Sequence, residues 1–231
     1  MPEPVRPSSL SEYAERTLAA LAAADLGHVI SVGGAIGLLH YLDYRKTDDV
    51  DAWWASTATS EDRERVLATV ESTLRFFGEV QTRQWGEVVS LELKKGGKTV
   101  FSFQIASRSV QLQPPTTLSW IDVELDSLPD LVASKMVALV ERGAPRDFRD
   151  IYVVCHAGLV SPADCWRLWR ERQQRAGSDT DPSRARLAVE THLTRISQHR
   201  PLEAIADPAQ RAEAEAVRSW FAQELLHAQL D

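Results

Sequence analysis

The sequence is poor in cysteine and has no long apolar run. These two absences argue against a zinc-binding protein and against a membrane-spanning protein. Only two cysteines occur in 231 residues, and neither belongs to a CxxC or Cys/His spacing that would hold zinc. No apolar stretch approaches the roughly 20 residues of a membrane helix, and the opening MPEPVRPSSL lacks the apolar segment of a secretory signal. We therefore expect a soluble protein of the reducing cytoplasm, with no zinc centre and no membrane span.

The net charge of −7 argues against a protein that coats nucleic acid indiscriminately. The charge is uneven, however, because between Lys135 and Arg200 one lysine and eleven arginines stand against eight acidic residues. An arginine-rich segment of this kind suits a phosphate-bearing partner. Solvent-facing helices of any arginine-rich protein would have the same composition, so both interpretations stay open.

Hydrophobic periodicity predicts an α/β first half and a helical second half. Helices are predicted over 11–24, 35–44 and 60–77, the last of them capped by Ser60, and strands over 28–32, 50–54, 88–93, 99–105 and 121–125. The two strands around KKGGK form a predicted hairpin. From Ser127 onward only helical patterns follow. We accordingly assign 1–126 to an α/β (α+β) core with a small mixed sheet, and 127–231 to a helical C-terminal region that completes the site.

Two aspartates one residue apart stand at the start of the predicted strand 50–54, Asp49 directly before it and Asp51 within it. Because alternate strand residues share a face, Asp49 and Asp51 point the same way and repel each other unless a cation lies between them. Proteins hold Mg²⁺ with one or two carboxylates together with substrate phosphates, so the pair indicates a magnesium site. Two solvated acids at a turn are the alternative. Trp53 shares their face, where it either stacks on a base or packs at the rim of the core, and Trp54 points into the core.

Gly33 and Gly34 precede this pair, at the point where a predicted strand gives way to a helix. Glycines at such a point let backbone N–H groups approach a phosphate, whereas on their own they would merely form a tight turn. A glycine pair that can approach a phosphate, followed by an aspartate pair that can bind a metal ion, indicates a nucleotide site more specifically than either pair alone. The order of the motifs therefore predicts a site for the phosphates of a nucleotide.

A second group of candidate residues lies between 127 and 153. Lys135 is at the edge of the apolar face of a predicted helix that begins with Ser127 as its cap. From there its side chain either extends into solvent or directs an ammonium at a phosphate. In the next predicted helix Asp147 and Asp150 share a side. Asp147 lies in the first turn, where it suits a structural role, and Asp150 lies deeper in the helix.

These motifs resemble the signature of the nucleotidyltransferase superfamily: an apolar residue, Gly, Gly or Ser, a helical spacer, then Asp-x-Asp. The signature is present here as VGG at 32–34 and DVD at 49–51. More closely, the sequence is similar to the AbiEii/AbiGii toxin-type nucleotidyltransferases, which include the MenT-like toxins. Arg45 and Thr47 match their Arg-x-Thr-x-Asp-x-Asp run, and SKMVALVERGAPRDFRDIYVV resembles their lysine-containing helix and Arg-Asp-x-x-Asp motif.

The resemblance implies a Mg²⁺-dependent enzyme that moves a nucleoside monophosphate from a nucleoside triphosphate to an acceptor hydroxyl. It implies that Asp49 and Asp51 hold the metal as catalytic residues and that Asp150 completes the catalytic set. The acceptor that it implies is a tRNA 3′ end, blocked by a toxin whose antitoxin is encoded separately. The expected nucleotide-binding residues are Gly33, Gly34, Arg45, Thr47 and Lys135. For Arg45 and Thr47 the alternative is that they only shape the turn before the strand.

One departure from the family pattern keeps other functions open. The superfamily usually has a third carboxylate on a neighbouring strand, but the second arm of the hairpin offers Gln104 at that place, with Glu92 on the other arm as a substitute. An amide supplies no charge and cannot act as a base. The alternatives are an aminoglycoside-type enzyme with a small-molecule acceptor and a catalytically lapsed module that binds nucleotide or protein.

Overall fold

The computed structural model describes residues 3–229, which form two compact units that divide between Leu131 and Val132. The first unit contains a mixed sheet with helices, and the second has helices and connecting loops in its described residues. The mixed α/β class predicted from the sequence is thus confirmed. None of the helices in the described part combines the length and apolarity needed to cross a membrane.

The strands of the described residues are β1 (Ile30–Val32), β2 (Asp49–Trp54), β3 (Glu79–Trp85), β4 (Val88–Lys95), β5 (Lys98–Ala106), β6 (Thr116–Thr117) and β7 (Glu124–Leu125). The α-helices are α1 (Glu12–Ala23), α2 (Gly34–Leu39), α3 (Ser60–Arg75), α4 (Leu128–Glu141), α5 (Pro145–His156), α6 (Pro162–Ala176), α7 (Pro182–His199) and α8 (Pro208–Trp220). A 3₁₀ turn, Leu202–Ala204, precedes α8, and a π-helical turn, Phe221–Leu225, continues it.

The seven strands of residues 3–229 form one sheet in the order β3-β4-β5-β2-β1-β7-β6. The pairs β2–β5 and β1–β7 are parallel and the other pairs are antiparallel. The predicted hairpin is β4–β5, and its two central residues, Gly96 and Gly97, have φ of +56° and +75°. Positive φ at both positions is what the tightest hairpin turns require, which explains the Gly-Gly sequence.

One strand face of the central β2 is buried and the other is partly exposed. Val50, Ala52 and Trp54 belong to the core of the first unit, to which α1 and α3 also contribute. That core includes Leu18 of α1 and Val70 of α3, both fully buried. The opposite face of β2 is therefore the one that can present side chains to a ligand.

Three of the differences from the sequence-based expectations concern α3, α2 and β3. The cap of α3 is Thr59, not Ser60, because Thr59 is the last extended residue and its hydroxyl accepts from the N–H of Asp62. The helix α2 ends at Leu39 instead of residue 44, and the carbonyl of the next residue, His40, accepts from Val5 N–H at 2.8 Å. The strand β3 was not expected, because it is solvated on nearly all of its residues and has no apolar alternation.

The second unit begins inside α4 and is built around aromatic packing between its helices. The rings of Phe148 on α5 and Phe221 lie 4.6 Å apart. Trp166 on α6 is fully buried, and its Nε1 donates to the carbonyl of Leu225 at 2.8 Å. These contacts fix α5 and α6 against the C-terminal turn, so the chain from Val132 onward has a core of its own.

Candidate active site

The two aspartates of β2 lie on its partly exposed face, as the alternation predicts. Thr47, which is 8% exposed, donates its hydroxyl to Asp49 Oδ1 at 2.6 Å. A hydrogen bond to an ionised carboxylate both orients and stabilises it. Thr47 therefore holds the Asp49 carboxylate in one orientation on the exposed face of the strand.

The glycine pair is in direct contact with the second aspartate. Gly33 donates its N–H to the carbonyl of Asp51 at 2.8 Å. Gly34 has φ of +59°, and a Cβ placed there would lie 2.0 Å from Asp51 Oδ2. Neither the conformation nor the space admits any other residue. The structure thus brings the two halves of the motif together, with the Asp51 carboxylate packed on the Gly34 backbone.

On the neighbouring strand β5, the amide of Gln104 lies where the superfamily usually has its third carboxylate. In the parallel pairing Asp49 is opposite Ser102 and Asp51 is opposite Gln104. Glu92 lies one strand further away, opposite Ser102, and its carboxylate accepts from Lys94 Nζ at 2.6 Å. This hydrogen bond is the main reason that the pKa of Glu92 is below its ordinary value. The Glu92 carboxylate is thus already paired with Lys94 on its own strand.

An aspartate that the sequence analysis did not single out lies on the other side of the glycines. Asp126 directly follows β7, donates its N–H to the carbonyl of Val32 at 2.9 Å, and has Oδ2 3.1 Å from the position of a Cβ on Gly33. It is 1% exposed and pairs with Arg108. Burial raises the pKa of Asp126 above its ordinary value, and the charge of Arg108 opposes that shift. A strand of two residues gives almost no periodicity, which is why the sequence did not point to Asp126.

The Asp49 and Asp51 carboxylates of β2 fit a Mg²⁺ site in which the substrate supplies some of the metal ligands. Among residues 3–229, no three His, Cys, Asp or Glu side chains are grouped closely enough to hold a metal ion by themselves. Two carboxylates on one strand face are nevertheless sufficient for Mg²⁺, because phosphates and water complete its six oxygen ligands. Asp49 and Asp51 are therefore suited to a metal that arrives with a nucleotide.

Arg45 lies at the edge of this region and is partly exposed. Its guanidinium is 5.9 Å from the ring centroid of Tyr44, and Nη1 donates to the carbonyl of Lys46 at 3.4 Å. The nucleotide-binding role expected for Arg45 stays a prediction.

The predicted residues of the second unit form a buried ionic cluster. Lys135 on α4 has Nζ 2.8 Å from Asp150 Oδ2 and 3.7 Å from Asp147 Oδ1, both on α5. Arg142 approaches Asp147 with two nitrogens, at 2.9 and 3.1 Å. The side chains of both aspartates are completely buried and that of Lys135 is 9% exposed. The sequence predicted that these residues belong together, but not that each charge is matched inside the cluster.

The arginines of α6 are less available than their number indicates. Arg167 pairs with Asp164 at 2.8 Å, and Arg175 pairs with Glu171 at 2.6 Å. The hydrogen bond from Arg167 is also the largest cause of the lowered pKa of Asp164, which lies in the first turn of α6. Arg170 is exposed on the same helix. Part of the local positive charge is therefore neutralised within α6.

A strand-borne aspartate pair packed on a glycine pair at the centre of a mixed sheet is the arrangement expected of a nucleotidyltransferase. The family model described as "Nucleotidyl transferase AbiEii toxin, Type IV TA system" matches residues 16–228. The chain therefore belongs to the AbiEii nucleotidyltransferase toxin family. It is a nucleotidyltransferase, and its family places it as the toxin of a type IV toxin–antitoxin system, which implies a nucleoside triphosphate substrate and an antitoxin partner. The resemblance stated from the sequence is confirmed.

Among solved structures, the chain is similar to the crystal structure of an antigenic nucleotidyltransferase-like protein from Paracoccidioides brasiliensis. The identity is 14% and the TM-score 0.40, with 91% of this chain and 95% of that chain covered. No curated protein matches the sequence.

Proposed function

We propose that this enzyme transfers a nucleoside monophosphate from a nucleoside triphosphate to the 3′-terminal hydroxyl of a tRNA, with Mg²⁺ held by Asp49 and Asp51. The observation that carries the proposal is the contact of the Asp51 carboxylate with the Gly34 backbone. That contact puts a metal-binding oxygen beside the point at which a phosphate can come nearest to the main chain. Family membership supplies the reaction class.

The residues of the first unit act by positioning and by charge. Thr47 fixes the orientation of Asp49 through its 2.6 Å hydrogen bond, and Asp51 lies on the same face of the strand. A bound Mg²⁺ would neutralise part of the negative charge of the triphosphate. The Gly33–Gly34 backbone and Arg45 then hold the phosphates so that an acceptor hydroxyl attacks the α-phosphate in line with the departing pyrophosphate.

In the second unit we assign phosphate binding to Lys135 and a positioning role to Asp150. An ammonium has three N–H donors. Asp150 takes one of them at 2.8 Å, and Asp147 lies at 3.7 Å, which leaves a donor for a phosphate oxygen. Asp150 is itself completely buried, so it contributes to catalysis through the lysine that it orients. This gives Asp150 its place in the catalytic set without contact to the substrate.

The tRNA acceptor is supported by the toxin family and by the exposed arginine of α6. A toxin of this reaction class needs an essential cellular acceptor, and the terminal hydroxyl of tRNA provides one. Arg170 is exposed, and an arginine can pair with a backbone phosphate through two hydrogen bonds. A nucleoside triphosphate, Mg²⁺ and a tRNA are thus the components that the proposal requires.

The proposal is tested by label transfer with the purified chain, Mg²⁺, total tRNA and each α-labelled nucleoside triphosphate in turn. The inactive variant is Asp49→Ala, and its matched control is Asp48→Ala, which removes an exposed carboxylate next to it in sequence. We expect labelled tRNA with wild type and Asp48→Ala but not with Asp49→Ala. Periodate oxidation of the tRNA 3′ end should abolish labelling. Label that survives oxidation, or no label with any nucleotide, contradicts the tRNA acceptor.

A further inference from the structure

Trp53 follows the aspartate pair on the same strand face and leans over the glycine pair. Its Nε1 is 2.6 Å from the position that a Cβ on Gly33 would occupy, so only the missing side chain of Gly33 makes room for the indole. In the antiparallel pairing Trp53 is directly opposite Ser31. No atom of residues 3–229 accepts a hydrogen bond from Nε1. The indole N–H is thus an unused donor beside the Gly33 backbone.

The ring of Trp53 is held in place by an anchored guanidinium. The Arg108 guanidinium lies 5.5 Å from the ring centroid, which is a cation–π distance. Nη2 of Arg108 donates to Asp126 and, at 2.9 Å, to the hydroxyl of Ser31, while Nη1 is 3.6 Å from Asp130. The Arg108 side chain is only 9% exposed. Its several partners leave the guanidinium little freedom, so the ring against it is also fixed.

Asp126 anchors this arrangement without being a ligand contact. Its side chain is 1% exposed, and its charge is matched by the guanidinium of Arg108. The two polar atoms nearest to the position of a Cβ on Gly33 are Nε1 of Trp53, at 2.6 Å, and Oδ2 of this buried, charge-matched Asp126, at 3.1 Å. Of the two polar groups that flank Gly33, the indole N–H is the one able to reach a ligand.

We propose that Trp53 is a substrate-binding residue that donates Nε1–H to a phosphate oxygen of the nucleotide, and that Arg108 is the residue that positions its ring. The inference rests on the proposed nucleotide site at Gly33, Gly34 and the β2 aspartates. We expect a phosphate and not a stacked base as the ligand, because the edge of the indole, and not its face, is directed at the glycine backbone. An indole is a donor only, and phosphate oxygens are acceptors only.

The wild-type protein provides a direct test by ¹⁵N–¹H correlation spectroscopy. The chain has seven tryptophans, hence seven indole N–H resonances, and the one missing from Trp53→Phe identifies Trp53. A non-hydrolysable α,β-methylene nucleoside triphosphate with Mg²⁺ should move this resonance. Trp85 on the edge strand β3 is 50% exposed, and its indole resonance should stay in place.

Calorimetry of the same nucleotide analogue supplies the second measurement. Because hydrogen bonds to charged groups contribute about 1.5–3 kcal/mol, Trp53→Phe should weaken binding about tenfold or more, while the matched Trp85→Phe should bind as wild type does. Arg108→Met should weaken binding and move the Trp53 resonance of the free protein. Arg108→Lys, which keeps a cation at the ring, should recover part of the affinity.

The possible failures are distinguishable. If wild type binds none of the four nucleotide analogues, the proposed function is wrong and this inference with it. If wild type binds an analogue and Asp49→Ala does not, the nucleotide site stands. An unmoved Trp53 resonance together with unchanged affinity in Trp53→Phe would then overturn the role of Trp53 alone.

Discussion

The substitution Gly34→Ala tests the contact that joins the two halves of the nucleotidyltransferase motif. A Cβ at this position would lie 2.0 Å from Asp51 Oδ2 and 2.8 Å from both Cβ and Cγ of Asp51. Rotation of the Asp51 side chain removes the first overlap but leaves its Cβ where the β2 backbone places it. The strand or the turn must therefore move, and the carboxylate moves with it.

Two contributions set the size of the effect. The φ of +59° at Gly34 is a left-handed conformation that costs an alanine about 1–2 kcal/mol. Overpacking against a well-packed neighbour adds about 1–3 kcal/mol. The loss of unfolding free energy is then about 2–5 kcal/mol, which for a chain of this size lowers Tm by about 4–20 °C.

The hairpin turn provides a matched control. Gly96 has φ of +56°, close to that of Gly34, but a Cβ there meets nothing within 4 Å. Gly96→Ala should therefore incur only the backbone contribution of about 1–2 kcal/mol and should bind nucleotide normally. Gly34→Ala should be less stable than this control in thermal unfolding followed by circular dichroism, and should lose Mg²⁺-dependent nucleotide binding in calorimetry.

The expected result is refuted if the two alanine variants unfold at the same temperature and Gly34→Ala binds nucleotide as wild type does. Equal stability would mean that no overlap with Asp51 exists. Normal binding would mean that the glycine backbone and the Asp51 carboxylate do not act at one site.

Three further predictions concern groups away from the glycine pair. Asp150→Ala leaves the buried Lys135 ammonium with a poorer partner, so it should lower the free energy of unfolding in urea by about 3–5 kcal/mol; Lys135→Met in the same chain should recover much of this, and no recovery would contradict the ion pair. Burial lowers the pKa of His40 below 6.5 although its backbone hydrogen bond opposes the shift. The neutral form is therefore favoured in the folded state, and the stability that it contributes is present above pH 6.5 and lost as the pH falls through the folded pKa. His40→Phe should flatten that loss in urea titrations across this range, and parallel curves would contradict it. The hydrogen bond with Cys155, followed by burial, raises the pKa of the Cys165 thiol, so iodoacetamide should label Cys155 first in peptide mapping by mass spectrometry; earlier labelling of Cys165 would contradict this order.

The face of β2 that carries the site could be predicted from the sequence because strand alternation is a local property. Asp49 and Asp51 share the exposed face, and Gln104 lies beside Asp51, as the hairpin pattern indicated. Both conclusions need only a period of two and an adjacent hairpin arm. The order of the motifs predicted a site for nucleotide phosphates, but not that Gly34 is packed against Asp51.

Long-range partners could not be predicted in the same way. Arg108 follows β5 and Asp126 follows β7, so their pairing depends on the order of strands in the sheet. A run of two strand residues carries too little pattern to place β7 next to β1. For the same reason the sequence showed Trp53 on the correct face but not the guanidinium that holds it.

The ionic cluster of the second unit shows a different limit. The sequence placed Lys135 at the edge of an apolar helix face, where a lysine commonly extends into solvent. In the structure it is 7% exposed because two buried aspartates of α5 match its charge. Burial of a charge depends on partners from another helix, which periodicity within one helix does not reveal.

The central claim is that Asp49 and Asp51 bind a nucleotide through Mg²⁺, and calorimetric titration with each nucleoside triphosphate tests it most directly. Wild type and the exposed-site control Asp48→Asn should bind one or more nucleotides with Mg²⁺, and the binding should disappear in EDTA. Asp49→Asn and Asp51→Asn should keep the wild-type Tm within a few degrees and lose the metal-dependent binding. Binding that persists in EDTA, or that is unchanged in both variants, would contradict the account.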